Sequence, residues 1–204
     1  MTNFVYTVIP ASEYKDKYES GNRTIYHFNP TEEDEMITCI ECAVNTADAD
    51  DEQIKADLNT FIEQKNLREV KRAMVEAITK INEYDLSSNV NSFTINGMIT
   101  WFDKADRVGL MNSTKILKDK NVNATTLWVN NKEITIKCDD LIELLRSLEV
   151  YALQCYDTTS AHKQNIYALT TVDEINNYDY TADYPKKLTF TYDTTSENVT
   201  LIIN

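Results

Sequence analysis

The sequence predicts an α+β protein: a helix-hairpin-helix-hairpin-helix core domain, with a small β N-terminal region before it and a C-terminal β-hairpin after it. Three observations lead there. From Asp139 to Leu169, the residues Leu141, Leu145, Leu148, Ala152, Cys155, Thr159, His162, Ile166 and Leu169 recur at spacings of four and three, which is one stripe of a long helix. Two similar hairpin-plus-helix units follow one another, Phe93 to Lys120 and Thr126 to Leu169. Gly and Pro number only three each in 204 residues, where average usage would give roughly 14 and 10, so long helices and few tight turns are expected.

In chain order, Phe4 to Ile9, Thr24 to Phe28 and Met36 to Val44 are rich in β-branched and aromatic residues and read as three short strands, with turns at Ser20-Gly21-Asn22 and Asn29-Pro30. Residues 1–50 form this short-stranded β region. The acids Asp48, Asp50, Asp51 and Glu52 then favour a helix start, because carboxylates suit the positive end of the dipole. From Asp51 to Glu83 the helical pattern changes register. Ile54, Leu58 and Phe61/Ile62 form one stripe; Leu67, Val70, Met74, Ala77/Ile78, Ile81 and Tyr84 form another. A break at Gln64 to Asn66 is the expectation, making 51–66 a helical connector and 67–170 the α+β core domain.

Within that core, Ser92 to Ile95 and Met98 to Phe102 flank Asn96-Gly97, a pair suited to the two φ > 0 positions of a hairpin turn. Asp103 with Asp106 should cap a helix to about Lys120, with Val108, Met111, Ile116 and Leu117 apolar. Thr126 to Val129 and Glu133 to Lys137 flank Asn130-Asn131-Lys132 as a second hairpin, and Asp139 or Asp140 with Glu143 should cap the long helix. In residues 171–204, Thr171 with Glu174 is a capping box for a short helix ending near Asn177. Tyr178 to Pro185 follows as an aromatic loop, and Leu188 to Tyr192 with Val199 to Ile203 reads as a last hairpin, able to share a sheet with the N-terminal strands.

With 33 acidic against 20 basic residues, the net charge is −13, which opposes contact with phosphate backbones; nucleic acid is not an expected partner. No apolar run approaches the ~20 residues of a membrane span, and Met1 to Pro10 lacks a basic-then-apolar leader pattern, so no membrane is expected and synthesis in a cytoplasm is. The 12 tyrosines suit surfaces that contact other proteins.

The residues able to do chemistry are few. Cys39-Ile40-Glu41-Cys42 has the spacing of half a zinc site or of a redox dithiol, but the remaining Cys138, Cys155, His27 and His162 offer no second close pair, and the motif lies inside a strand rather than opening a helix. His162 falls on the inner stripe of the long helix and reads as a buried, hydrogen-bonded core residue, with Cys155 too distant for a nucleophile-base pair. His27 lies in a strand of edge character. Glu32 to Glu35 lacks the glycine and alternating ligands of a calcium loop. No catalytic, cofactor-binding or metal residue is assigned, and the chain reads as no enzyme.

Phe93-Thr-Ile-Asn-Gly97 to Trp101, Asp106-Arg-Val-Gly-Leu-Met-Asn112, Thr126-Leu-Trp128, and Leu148-Glu-Val-Tyr-Ala-Leu-Gln-Cys155 with Thr159, His162-Lys163 and Ile166 carry a resemblance. They resemble an uncharacterised phage domain family that recurs in fibre-associated and other virion proteins of tailed phages. Tyr178-Asp-Tyr-Thr181 with Tyr184-Pro185 resembles the versions in crAss-like phages of gut Bacteroides. The similarity spans about Asn66 to Leu188. It implies a structural virion protein of a tailed bacteriophage, a subunit of a head fibre or neck/tail fibre, with capsid, neck or fibre subunits as partners; the alternative is a fibre-assembly chaperone not retained in the virion. Apart from the resemblance, the two apolar helical stripes exceed what four short strands can cover, so a homodimer is expected.

Overall fold

The computed structural model describes residues 2–192 and the strand residues 202–203. Helix and strand both build it, and the chain divides into two compact units, residues 1–71 and 72–204.

The first unit is an antiparallel sheet of four strands, β1 (Phe4–Pro10), β2 (Lys17–Ser20), β3 (Arg23–Glu33) and β4 (Met36–Asn45), in the order β1-β4-β3-β2. Three strands were expected. The polar segment Lys-Tyr-Glu-Ser of β2 shows no apolar alternation, yet it pairs with β3 across the Gly21 turn, where φ is +63°. Asn29-Pro30 is not a turn. β3 runs through it with a register shift between Phe28 and Thr31, a bulge at which Asn29 takes φ 52° and the proline needs no ladder N–H. The reversal comes at Asp34-Glu35, φ 50° and 61°, so the acidic stretch from Glu32 is a strand end and a tight turn.

Helix α1 (Asp51–Leu86) begins where Asp50 Oδ1 accepts from the N–H groups of Glu52 and Gln53, at 3.0 and 3.2 Å. Its Ile54 and Leu58 pack on Phe4, Tyr26, Ile40 and Cys42 of the sheet. The expected break at Gln64 to Asn66 is absent. No Gly or Pro interrupts the run there, and the Lys65–Glu69 pair at 3.6 Å supports the turn. The register change has another cause: the helix serves two cores. Ile54 and Leu58 are buried in the first unit, Ala73, Ala77 and Ile81 in the second, and Leu67, placed by sequence in the second stripe, is exposed between them.

In the second unit, β5 (Phe93–Ile95) and β6 (Met98–Thr100) are joined by Asn96 and Gly97 at φ 49° and 75°. Helix α2 (Lys104–Asp119) is capped by Asp103, which accepts from the Asp106 N–H at 2.8 Å. Its inner face differs from expectation: Val108 and Ile116 are exposed, while Arg107 and Thr114 are buried. β7 (Ala124–Val129) and β8 (Lys132–Lys137) form a separate two-stranded sheet around a two-residue turn, Asn130-Asn131, rather than three residues. Helix α3 (Cys138–Ala168) follows without a break; Lys137 takes the cap position without a side-chain capping hydrogen bond, and Asp139 and Asp140 sit inside the first turn instead of capping it. The capping box of Thr171 and Glu174 opens the short α4 (Val172–Asn176).

Strand β9 (Thr189–Thr191) pairs with β10 (Ile202–Ile203) antiparallel and with β5 parallel, giving a sheet of order β10-β9-β5-β6. The C-terminal strands therefore do not join the N-terminal sheet. Residues 193–201 of the expected hairpin lie outside the described residues. Phe93, Ile95, Leu127, Ile136, Leu141, Leu144, Leu145, Leu148 and Phe190 form the main core of this unit, each no more than 1% exposed.

Candidate functional site

Cys39 and Cys42 are three apart on β4, so their side chains leave opposite faces of the sheet. The register confirms it. Cys42 lies across from Phe4 and packs under α1, whereas Cys39 lies across from Thr7 on the other face. The two sulfurs cannot grip one ion, and burial pushes both thiols up from their ordinary range. All four cysteines are free and buried, and no group of three or more His, Cys, Asp and Glu side chains able to hold a metal occurs among the described residues.

His27 is not on an edge. β3 lies between β4 and β2, and the ring is 4% exposed. Its Nδ1 donates to the Lys15 carbonyl at 2.7 Å, Nε2 lies 3.3 Å from a Glu41 carboxylate oxygen, and Tyr14 and Tyr18 flank the ring at 5.7 Å. The Tyr14 hydroxyl donates to Asp16 at 2.6 Å and is pushed up to about 12, first by burial and then by that carboxylate. Nearby, Lys17 Nζ and the Tyr26 hydroxyl both donate to Asp51 Oδ1, at 2.7 and 2.6 Å, and the Lys17 ammonium lies 4.8 Å from the Tyr26 ring centre. Lys17 holds the Asp51 carboxyl below its usual range. Tyr14, Asp16, Lys17, Tyr26, His27 and Asp51 are among the residues lining a cavity of about 350 Å³, and the Tyr14–Asp16 and Lys17–Asp51–Tyr26 bonds already pair the polar groups they join.

His162 is buried on α3, as its place on the stripe implies. Nε2 donates to the Ala182 carbonyl at 3.0 Å, and Nδ1 accepts from the Tyr178 hydroxyl at 2.8 Å, which itself accepts from Asn165 Nδ2 at 2.9 Å. One turn earlier, Thr159 donates to Asp85 and accepts from the Tyr184 hydroxyl, both at 2.8 Å. Tyr178 to Tyr184, read from sequence as an irregular aromatic loop, is thus bonded along the helix stripe, and His162 is one of its anchors. Cys155 belongs instead to a cluster with Val90 and Tyr151. Arg107, which sequence reasoning missed, is buried; its Nε donates to Glu149 at 2.8 Å and a terminal nitrogen to the Phe102 carbonyl at 2.7 Å, with Trp101 5.2 Å away. Its partners are 42 and 5 residues distant, and no local spacing announces the first.

What remains uncovered is surface. Along the outer side of α3, Val150, Leu153, Tyr156 and Tyr167 are 57, 60, 68 and 64% exposed, and on β1 Val5, Tyr6 and Val8 are exposed as well. Val150, Leu153 and Tyr156 fall within two turns of α3, a spacing that suits a contact surface. No described helix is long and apolar enough to cross a membrane. Compared with family models, with curated proteins and with solved structures, the chain matches none.

Proposed function

We propose that the chain is a structural virion protein of a tailed bacteriophage, a subunit of a head fibre or neck/tail fibre, which works by protein–protein assembly and not by catalysis. In this reading it is made in the host cytoplasm, associates as a homodimer and is carried on the particle. The helix-hairpin-helix-hairpin-helix segment 67–170 is the scaffold, and the N-terminal sheet is the attachment region. The observation that carries the reading is the uncovered apolar stripe of α3, Val150, Leu153, Tyr156 and Tyr167, on a chain whose histidines and cysteines are buried in cores. The resemblance of the 66–188 segment to virion-associated phage domains supports the kind of assembly, and the charge of −13 suits a protein held away from packaged DNA.

Mass spectrometry of washed, intact virions of the encoding phage, with cryo-electron microscopy to place the density, tests it. The chain should be present at a fixed copy number. Abundance in infected-cell lysate with absence from virions would replace this reading with that of a fibre-assembly chaperone.

A further inference from the structure

The two edges of the N-terminal sheet are built differently. The β2 edge is four residues long and carries Lys17 and Glu19, the short and charged form that resists pairing with another chain. The β1 edge is seven residues long, Phe-Val-Tyr-Thr-Val-Ile-Pro, with no charge anywhere and its only proline at the last position. All seven residues pair with β4 on the inner side, and among the described residues no strand pairs with the outer side. Val5, Tyr6 and Val8 are 45, 51 and 57% exposed there. Such an uncharged, largely apolar edge leaves a row of backbone donors and acceptors open.

We propose that β1 pairs antiparallel with β1 of a second copy of this chain, joining two four-stranded sheets into one of eight strands across a two-fold axis at Thr7. The edge is complementary to itself. With Thr7 opposite Thr7, Tyr6 of each copy meets Val8 of the other on the helix-covered face, and Val5 meets Ile9 on the opposite face. These are aromatic–β-branched and β-branched–β-branched pairs, the kinds that stabilise antiparallel ladders. Phe4 meets Pro10 at the two ends, so the missing proline N–H falls where the ladder stops. The Tyr6 ring is already held, with Lys65 Nζ 3.9 Å from its centre and Phe61 at 6.3 Å, so little side-chain freedom is lost on pairing. Two copies at −13 each repel through the rest of their surfaces, the seven uncharged residues of β1 add nothing to that repulsion, and salt should strengthen the contact by screening it.

The inference deepens the homodimer part of the reading above and names its surface, but it does not depend on the virion, and its test is separate. Light scattering of the full chain over a wide concentration range should move from 23.5 kDa to twice that mass, at lower concentration in high salt than in low. Hydrogen exchange of residues 4–10 should slow about tenfold or more as the dimer fills, because the outer amides gain partners. Thr7→Lys sets two ammonium groups face to face on the axis and should leave a folded monomer. Should that variant misfold, Tyr6→Cys with Val8→Cys places facing thiols across the axis, and oxidation should yield a disulfide-linked dimer. A monomer at every concentration overturns the proposal; so does a dimer in which exchange of residues 4–10 is independent of concentration and neither variant has its effect. Absence from virions would leave it standing, whereas a monomer in solution would leave the virion assignment standing.

Discussion

Leu148 is wholly buried among Leu141, Leu144 and Leu145, and helix periodicity alone was enough to place it there. Its truncation to alanine should cost about 2–5 kcal/mol, a large part of a domain's ~5–15 kcal/mol, and lower the melting temperature by several degrees or more; a shift under one or two degrees would contradict the core described here. Residues that bond across the chain were not legible in this way. Arg107 to Glu149, Thr159 to Asp85 and His162 to Tyr178 join groups from different elements, so no spacing encodes them, although the burial of His162 itself follows from its stripe. Acid stability is also set at this scale. Asp51 is held low by Lys17 and Tyr26, Asp57 by Thr2 and Gln53, Glu174 by Thr171 and Asp179 by Thr181. A carboxyl that binds its proton more weakly folded than unfolded stabilises the fold above its unfolded pKa, and that contribution is lost as pH falls through the folded one. Asp140, raised by burial, works in the opposite sense. Thermal melts should therefore be flat near neutrality and fall as pH drops through the ordinary values of 4.5 for Glu and 3.8 for Asp; Asp51→Asn should make the fall shallower.

Elements with a strong local signal were legible: the Asn96-Gly97 hairpin, the Asp103 cap, the Thr171–Glu174 capping box and the long α3 are all formed by contacts within a few residues. Those that depend on a neighbour were not. β2 is a strand because β3 lies beside it, and Asn29-Pro30 stays within β3 as a bulge because β4 pairs on both sides of it. α1 shows the same limit differently, since a change of apolar stripe signals a change of partner as readily as a break in the helix. A proline separates the two readings. Asn66 is exposed in the middle of α1, and Asn66→Pro should cost about 3 kcal/mol or more with a loss of circular-dichroism signal at 222 nm, where a true loop would tolerate it nearly unchanged.

At the scale of the molecule, the sequence divided the chain correctly into α and β material but misjudged where the last strands go. β9 reads as half of a local hairpin, and its parallel pairing with β5, Thr94 to Thr189 and Ile95 to Phe190, crosses most of the second unit. Parallel pairs have no turn to announce them. The pairing also imposes an order in time on a chain made from one end. Residues 1–71 hold all four of their strands and the helix segment that covers them, so they can condense while the remainder is still on the ribosome. The second unit lacks Phe190, 0% exposed in its core, until nearly the whole of it has been synthesised, and leaves Phe93 and Ile95 waiting for their partner. Nascent chains stalled near residue 110 should resist protease over the first 71 residues, and chains stalled near residue 180, even with a long linker to clear the exit tunnel, should remain cleavable between 90 and 140. Such a protein passes through its synthesis half-finished, and that interval is when a chaperone would be needed most.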